Sequence, residues 1–181
     1  MSGIIGSRFN IRGSGLVGSL GTDGQVFTSS GAGIGAIFEA AAGGGKLLQI
    51  VYDTDETERT TSSTTYAYVS GMPTVDITPA ATSSKILILA NCTAVETNAA
   101  DGFFTVFRDS TDIGSTTGGG LTHVQHTGSR MPAGVMSALD SPSSTSTLTY
   151  QIRMKQPGGN PVYFNNGTTS LTSIMAIEIG A

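Results

Sequence analysis

Tryptophan is absent from these 181 residues, cysteine occurs once, histidine twice, and charged residues make up only 12% of the chain. Each shortage excludes something. A lone Cys92 builds no internal disulfide framework, and its ordinary place is as a small apolar side chain on a buried strand. Charge is used at about half the usual frequency, the net charge is −4, and Lys and Arg are scattered. A nucleic-acid groove needs clustered cations to replace the counterions on phosphate, so no nucleic-acid partner is expected. No stretch of about 18 consecutive apolar residues is present, and the first residues lack the basic-then-apolar run of a secretory leader. The expectation is a soluble chain, neither inserted in a membrane nor secreted. Without tryptophan and with scattered tyrosines, stacking on sugar rings is poorly supplied, which weighs against a carbohydrate-binding module.

Chemistry is equally thin. There is no GxxxxGK nucleotide loop, no HExxH, no CxxC and no Ser/His/Asp set with a supporting motif. "GSGLVG" spaces its glycines but neither follows a strand pattern nor opens a helix, so it is no phosphate cradle. "DTDETER" (53–59) groups four carboxylates without the glycine turn and ordered spacing of a calcium loop, and reads as solvated loop. "HVQH" sets His123 and His126 three apart just after Gly118–Gly120, where a helix does not form, so a surface loop is expected rather than a metal pair. The glycosylation sequons "NCT" and "NGT" matter only in a eukaryotic secretory pathway. The reading is a non-enzymatic chain with no catalytic residues, cofactor or metal.

What is abundant is glycine, at 25 residues, with Ser and Thr making about a quarter of the chain. Residues 18–46 are built almost wholly of Gly, Ala, Ser and Thr, with a large apolar residue every five or six positions. So few apolar groups do not offset the entropy of ordering such a segment, so a partner must hold it. From Lys46 the apolar period becomes two. Strands are expected at 46–53, 64–71, 74–79, 84–95, 102–109, 133–140, 146–156, 160–166 and 172–180, separated by Gly, Pro, Ser, Asn or Asp. Leu48, Ile50 and Tyr52 share one face; Val75 and Ile77 point inward, as do Tyr150, Ile152 and Met154. The fold class is all-β, an antiparallel β-sandwich or jelly roll (45–181) preceded by an extended Gly-rich N-terminal arm (1–44).

Three of these segments carry a second message. "KILILA" is apolar on both faces, "FFTVF" nearly so, and "SIMAIEI" has Met175, Ile177 and Ile179 on one side with Ile174 and Ala176 on the other. A two-layer sandwich has one inside, so the second face calls for another copy of the chain around a symmetry axis. Ile86, Ile88, Phe103, Ile174 and Ala176 are the expected subunit-interface residues. In the arm, "SRFNIR" puts Arg8 and Arg12 around Phe9 and Ile11, which suits a short peptide docking on an acidic, grooved protein surface; a solvated terminus is the other reading.

Taken together, "IRGSGLVGSLGTDGQVFTSSGAG" resembles the Gly-rich N-terminal arm of small tail-fibre and other virion proteins of tailed bacteriophages. "KLLQIVYDTDE", "VDITPAATSSKILILA", "FTVFRDSTDIG", "LDSPSSTSTLTYQIRMK" and "IMAIEIGA" resemble the β-sandwich module that follows it. The resemblance implies a homotrimeric virion protein, assembled in the bacterial host cytoplasm, whose arm fastens it to other virion proteins of the tail, the baseplate or the capsid. On that footing Leu16, Val17, Leu20, Val26, Phe27, Ile34, Ile37 and Phe38 are spaced anchors along the arm, and loops 53–61 and 114–130 face a host cell-surface glycan or protein. A capsid-decorating (cement) protein is the alternative within the same class.

Overall fold

The computed structural model describes residues 25–28, 37–40, 45–92, 101–114, 118–125, 134–165 and 170–180. The chain divides into two units, Met1–Gly44 and Gly45–Ala181. In the first, β1 (Gln25–Thr28) and β2 (Ile37–Ala40) pair antiparallel, with Phe27 opposite Phe38 and Val26 opposite Glu39. These runs, expected to be extended anchoring chain, thus pair with each other. Arg8, Phe9, Ile11, Arg12, Leu16, Val17, Leu20 and Ile34 lie outside the described residues.

The second unit contains β3 (Lys46–Asp55), β4 (Arg59–Thr61), β5 (Thr74–Ile77), β6 (Lys85–Cys92), β7 (Asp101–Arg108), β8 (Thr111–Asp112), β9 (Thr122–Gln125), β10 (Gly134–Asp140), β11 (Leu148–Lys155), β12 (Val162–Phe164) and β13 (Thr172–Gly180). One sheet runs β10-β6-β13-β3; the other runs β5-β11-β7, with β8 and β9 sharing the far edge of β7. All pairings are antiparallel. Along the chain β3, β6, β10 and β13 belong to the first sheet and alternate with β5, β7, β9 and β11 of the second, which is the double Greek key of a jelly roll. β4 and β12 form a separate two-stranded ribbon.

Segment 64–71 departs from expectation. It forms no strand; Ala67 bridges Met154 through reciprocal backbone bonds of 3.0 and 3.2 Å, and Gln156 N donates to Ser63 O. The reason lies in β11, whose edge is already taken by β5 at Leu148–Gln151, leaving only its last residues for this stretch. The chain then turns at Gly71, whose φ of +86° suits glycine.

The core lies between the two sheets. Val75, Ile77, Tyr150, Ile152 and Met154 are buried, as the period-two pattern predicts. Cys92 is fully buried too, and burial pushes its thiol pKa up, away from reactivity. The side-on gaps of the sandwich are stitched by side chains. At one, Thr74 N donates to Asp53 Oδ2 (2.9 Å) and Gln49 Nε2 to Thr78 O (2.8 Å); at the other, Thr122 Oγ1 donates to Val135 O. Across the interior, Asp140 of β10 accepts both Arg108 Nη1 (2.6 and 2.8 Å) and the Tyr150 hydroxyl (2.6 Å), tying the first sheet to β7 and β11. Burial, reinforced by the carboxylate, pushes the Tyr150 pKa up.

Among the described residues, Glu178 is the charged group that is fully buried. Burial opposes its ionisation, but hydrogen bonds from Gln49 Nε2 and Ala80 N (2.7 Å) outweigh it, and its pKa falls below the ordinary value. A depressed folded-state pKa stabilises the fold above the unfolded value and loses that contribution as pH falls through the folded one. Stability should therefore decline with acid from about pH 4.5 downward, and Glu178→Gln should flatten that part of the profile. Urea midpoints measured between pH 3 and 7, on the order of one pH unit apart, check it; an unchanged acid limb in the variant would assign the loss to other carboxylates.

Candidate assembly surface

Strand alternation sends half of the four-stranded sheet's side chains away from the core, and the register aligns them into rows. Leu139, Leu87, Ile177 and Ile50 form one row across β10-β6-β13-β3. Ser137, Leu89, Met175 and Tyr52 form the next, and Val135, Asn91, Ser173 and Thr54 the third. At the opposite end Lys85, Ile179 and Leu47 continue the face. The three full rows contain no charged residue. The polar row is internally closed, because the Ser173 hydroxyl bonds Asn91 Oδ1 and Asn91 Nδ2 donates to Leu171 O (3.1 Å). What remains, beside the Ser137 and Thr54 side chains, is a contiguous aliphatic surface with one tyrosine rather than singly scattered apolar exposure.

This corrects the expected interface set. Ile86, Ile88, Ile174 and Ala176 are fully buried inside the single chain, while their sequence neighbours Leu87, Leu89, Met175, Ile177 and Ile179 occupy the open face. Period two separates a strand into two sets but, when both are apolar, does not say which set points inward. Phe103 lies on the other sheet, its ring stacked on His123 at a centroid distance of 4.2 Å.

The outer face of that second sheet is of opposite character. Lys155 Nζ sits 4.5 Å from the Tyr66 ring centroid, Arg153 lies 4.0 Å over Phe107, and both cations also donate to carbonyls, Lys155 to Gly118 O (2.6 Å) and Arg153 to Asp109 O (3.0 Å). Tyr66 donates to Gly118 O as well, and burial pushes its pKa up to about 12. Gly120, at φ +71°, is needed here, since a β-carbon would run into the Phe104 carbonyl and the Tyr66 hydroxyl. These cations and rings are engaged with one another and hold the 118–121 turn against the sheet.

The two expected contact loops are likewise partly structural. Asp55 takes Arg59 at 2.9 and 3.2 Å, and this hydrogen-bonded guanidinium holds its carboxyl below the usual range. Asn165 Nδ2 donates to Asp55 O and Thr57 O, so the 53–61 acidic run is folded onto the ribbon rather than simply solvated. His123 stands on β9 instead of in a loop, 3.7 Å from Asp101 Oδ1, and His126 lies outside the described residues. Among the described residues no group of three or more His, Cys, Asp or Glu side chains is placed to hold a metal ion, and no helix is long and apolar enough to cross a membrane. Comparison with protein-family models and with curated proteins gives no match.

Proposed function

We propose that this chain is a non-enzymatic structural protein of a tailed-bacteriophage virion, a homotrimeric appendage of the tail-fibre kind fastened through residues 1–44. The observation that carries the reading is the three uncharged, largely aliphatic rows on the open face of the β10-β6-β13-β3 sheet. Leaving such residues in water forfeits about 1.5 to 3 kcal/mol for each large side chain that a neighbour would otherwise bury, and an uncharged face meets its own copy without needing a partner of complementary charge. The jelly roll recurs among viral coat and lectin domains, which supports the class, and the resemblance of arm and sandwich supports the virion role.

Mass photometry of the full chain tests the assembly directly: a species three times the 18.5 kDa protomer is expected. A stable monomer at micromolar concentration would overturn the trimer. Quantitative mass spectrometry of purified particles of a phage encoding the chain tests the role; a low copy number fits an appendage, one comparable to the shell subunit fits decoration, and absence rejects both.

The division at Gly44/Gly45 gives a further expectation. Deleting residues 1–44 should leave the remaining chain folded, with its thermal transition within a few degrees of the full protein, because the sheets of the second unit pair without β1 and β2. The shortened protein should no longer be recovered in particles. Unfolding on truncation, or undiminished incorporation, would show that the segment is not an anchor.

A further inference from the structure

We infer that the open faces of three chains turn toward a common axis, with the β10 margin of each meeting the β3 margin of the next; this rests on the homotrimer proposed above. The largest apolar exposure lies on the two outer strands rather than at the centre of the face. Val135 and Leu139 on β10 are 72% and 58% exposed, and Ile50 and Tyr52 on β3 are 52% and 53% exposed. On the central strands Leu89 is 42% exposed, while Leu87 and Ile177 are only partly exposed.

Area decides between the arrangements. Four strands at about 4.8 Å spacing and some six residues of length make a face of about 400 Å². One copy stacked flat on another would cover only that face on each chain, about half of the about 800 Å² per partner of a stable specific interface, and would add nothing from the edges of β10 and β3. A ring gives every chain two neighbours and buries the β10 and β3 edges of the sheet in addition to the face, with Leu89 and Ile177 closing the axis. The contact is then heterologous, unlike margins meeting, and a three-fold rotation closes it. The absence of charge in the three rows lets the faces approach the axis without repulsion between identical groups.

Cross-linking between margins tests this. Leu139→Cys and Ile50→Cys are made singly and together, sized by mass photometry, and treated with a short bismaleimide; the native Cys92 is buried, so the unsubstituted chain is the blank. The expected result is covalent trimer from the double variant, covalent dimer from an equimolar mixture of the single variants after subunit exchange, and no product from either alone. Cross-linking of Leu139→Cys or Ile50→Cys with itself would overturn the unlike-margin contact, as would trimers that give no product in any combination. If the chains are monomeric before cross-linking, the trimer reading fails and this inference falls with it.

Discussion

Leu89→Lys together with Ile177→Lys should convert the assembled protein into folded monomers. Both side chains leave the sheet on its open side, so in an isolated chain the new ammonium groups reach water and the core between the sheets is untouched. Around an axis, six lysines from three chains would be forced together without carboxylate partners, and an unpaired buried charge costs several kcal/mol. Since 1.4 kcal/mol is a factor of ten, association should weaken by at least about a thousandfold. Mass photometry reads the loss, and an unaltered circular dichroism spectrum and melting transition show that the fold survives. Shifting the substitution by one residue supplies the contrast: Ile88→Lys places the charge in the sealed core and should abolish folding. A double variant that still assembles would remove the open face from the interface.

Asp140→Ala should be the most destabilising conservative-sized change away from the aliphatic core, at about 3 kcal/mol. Its carboxylate is the shared acceptor for Arg108 and Tyr150, which face each other in the β7-β11 ladder, and it reaches them from the opposite sheet. Removing it strands the hydroxyl of a fully buried tyrosine and leaves a mostly covered guanidinium without its carboxylate. Tyr150→Phe removes one hydrogen bond while keeping the ion pair, and should cost only about 1 kcal/mol. Urea unfolding of the two variants reads both numbers. If Asp140→Ala costs no more than Tyr150→Phe, the carboxylate is not what joins the sheets at this end.

Much of the sandwich was written in local periodicity. β11 alternates polar and apolar strictly, so the inward set Tyr150, Ile152 and Met154 followed from sequence, and β5 gave Val75 and Ile77 in the same way. β6 and β13 resisted because alternation says nothing when both sets are aliphatic; the inward choice is made by register and by long-range pairing, as Ile177 opposite both Leu87 and Ile50 shows. The short strands β4, β8 and β9 were illegible because each is held by a partner strand rather than by its own propensity. The Asp140 junction was invisible for a similar reason. Arg108, Asp140 and Tyr150 read as three unrelated strand residues, and only the jelly-roll crossing brings them together.

That crossing also constrains when the protein can become itself. In the first sheet the central position between β3 and β6 is filled by β13, the last of the sandwich strands to emerge during synthesis. Until it arrives, β3 and β6 have no common neighbour, and each presents an unpaired edge beside aliphatic side chains. Pairing at such sequence separation is slow, and the nascent chain is exposed to mistaken edge-to-edge association in the interval. Lys46 and Lys85 at the starts of β3 and β6 place charge on the strands that wait longest, a feature suited to keeping neighbouring nascent chains apart until the sheet closes.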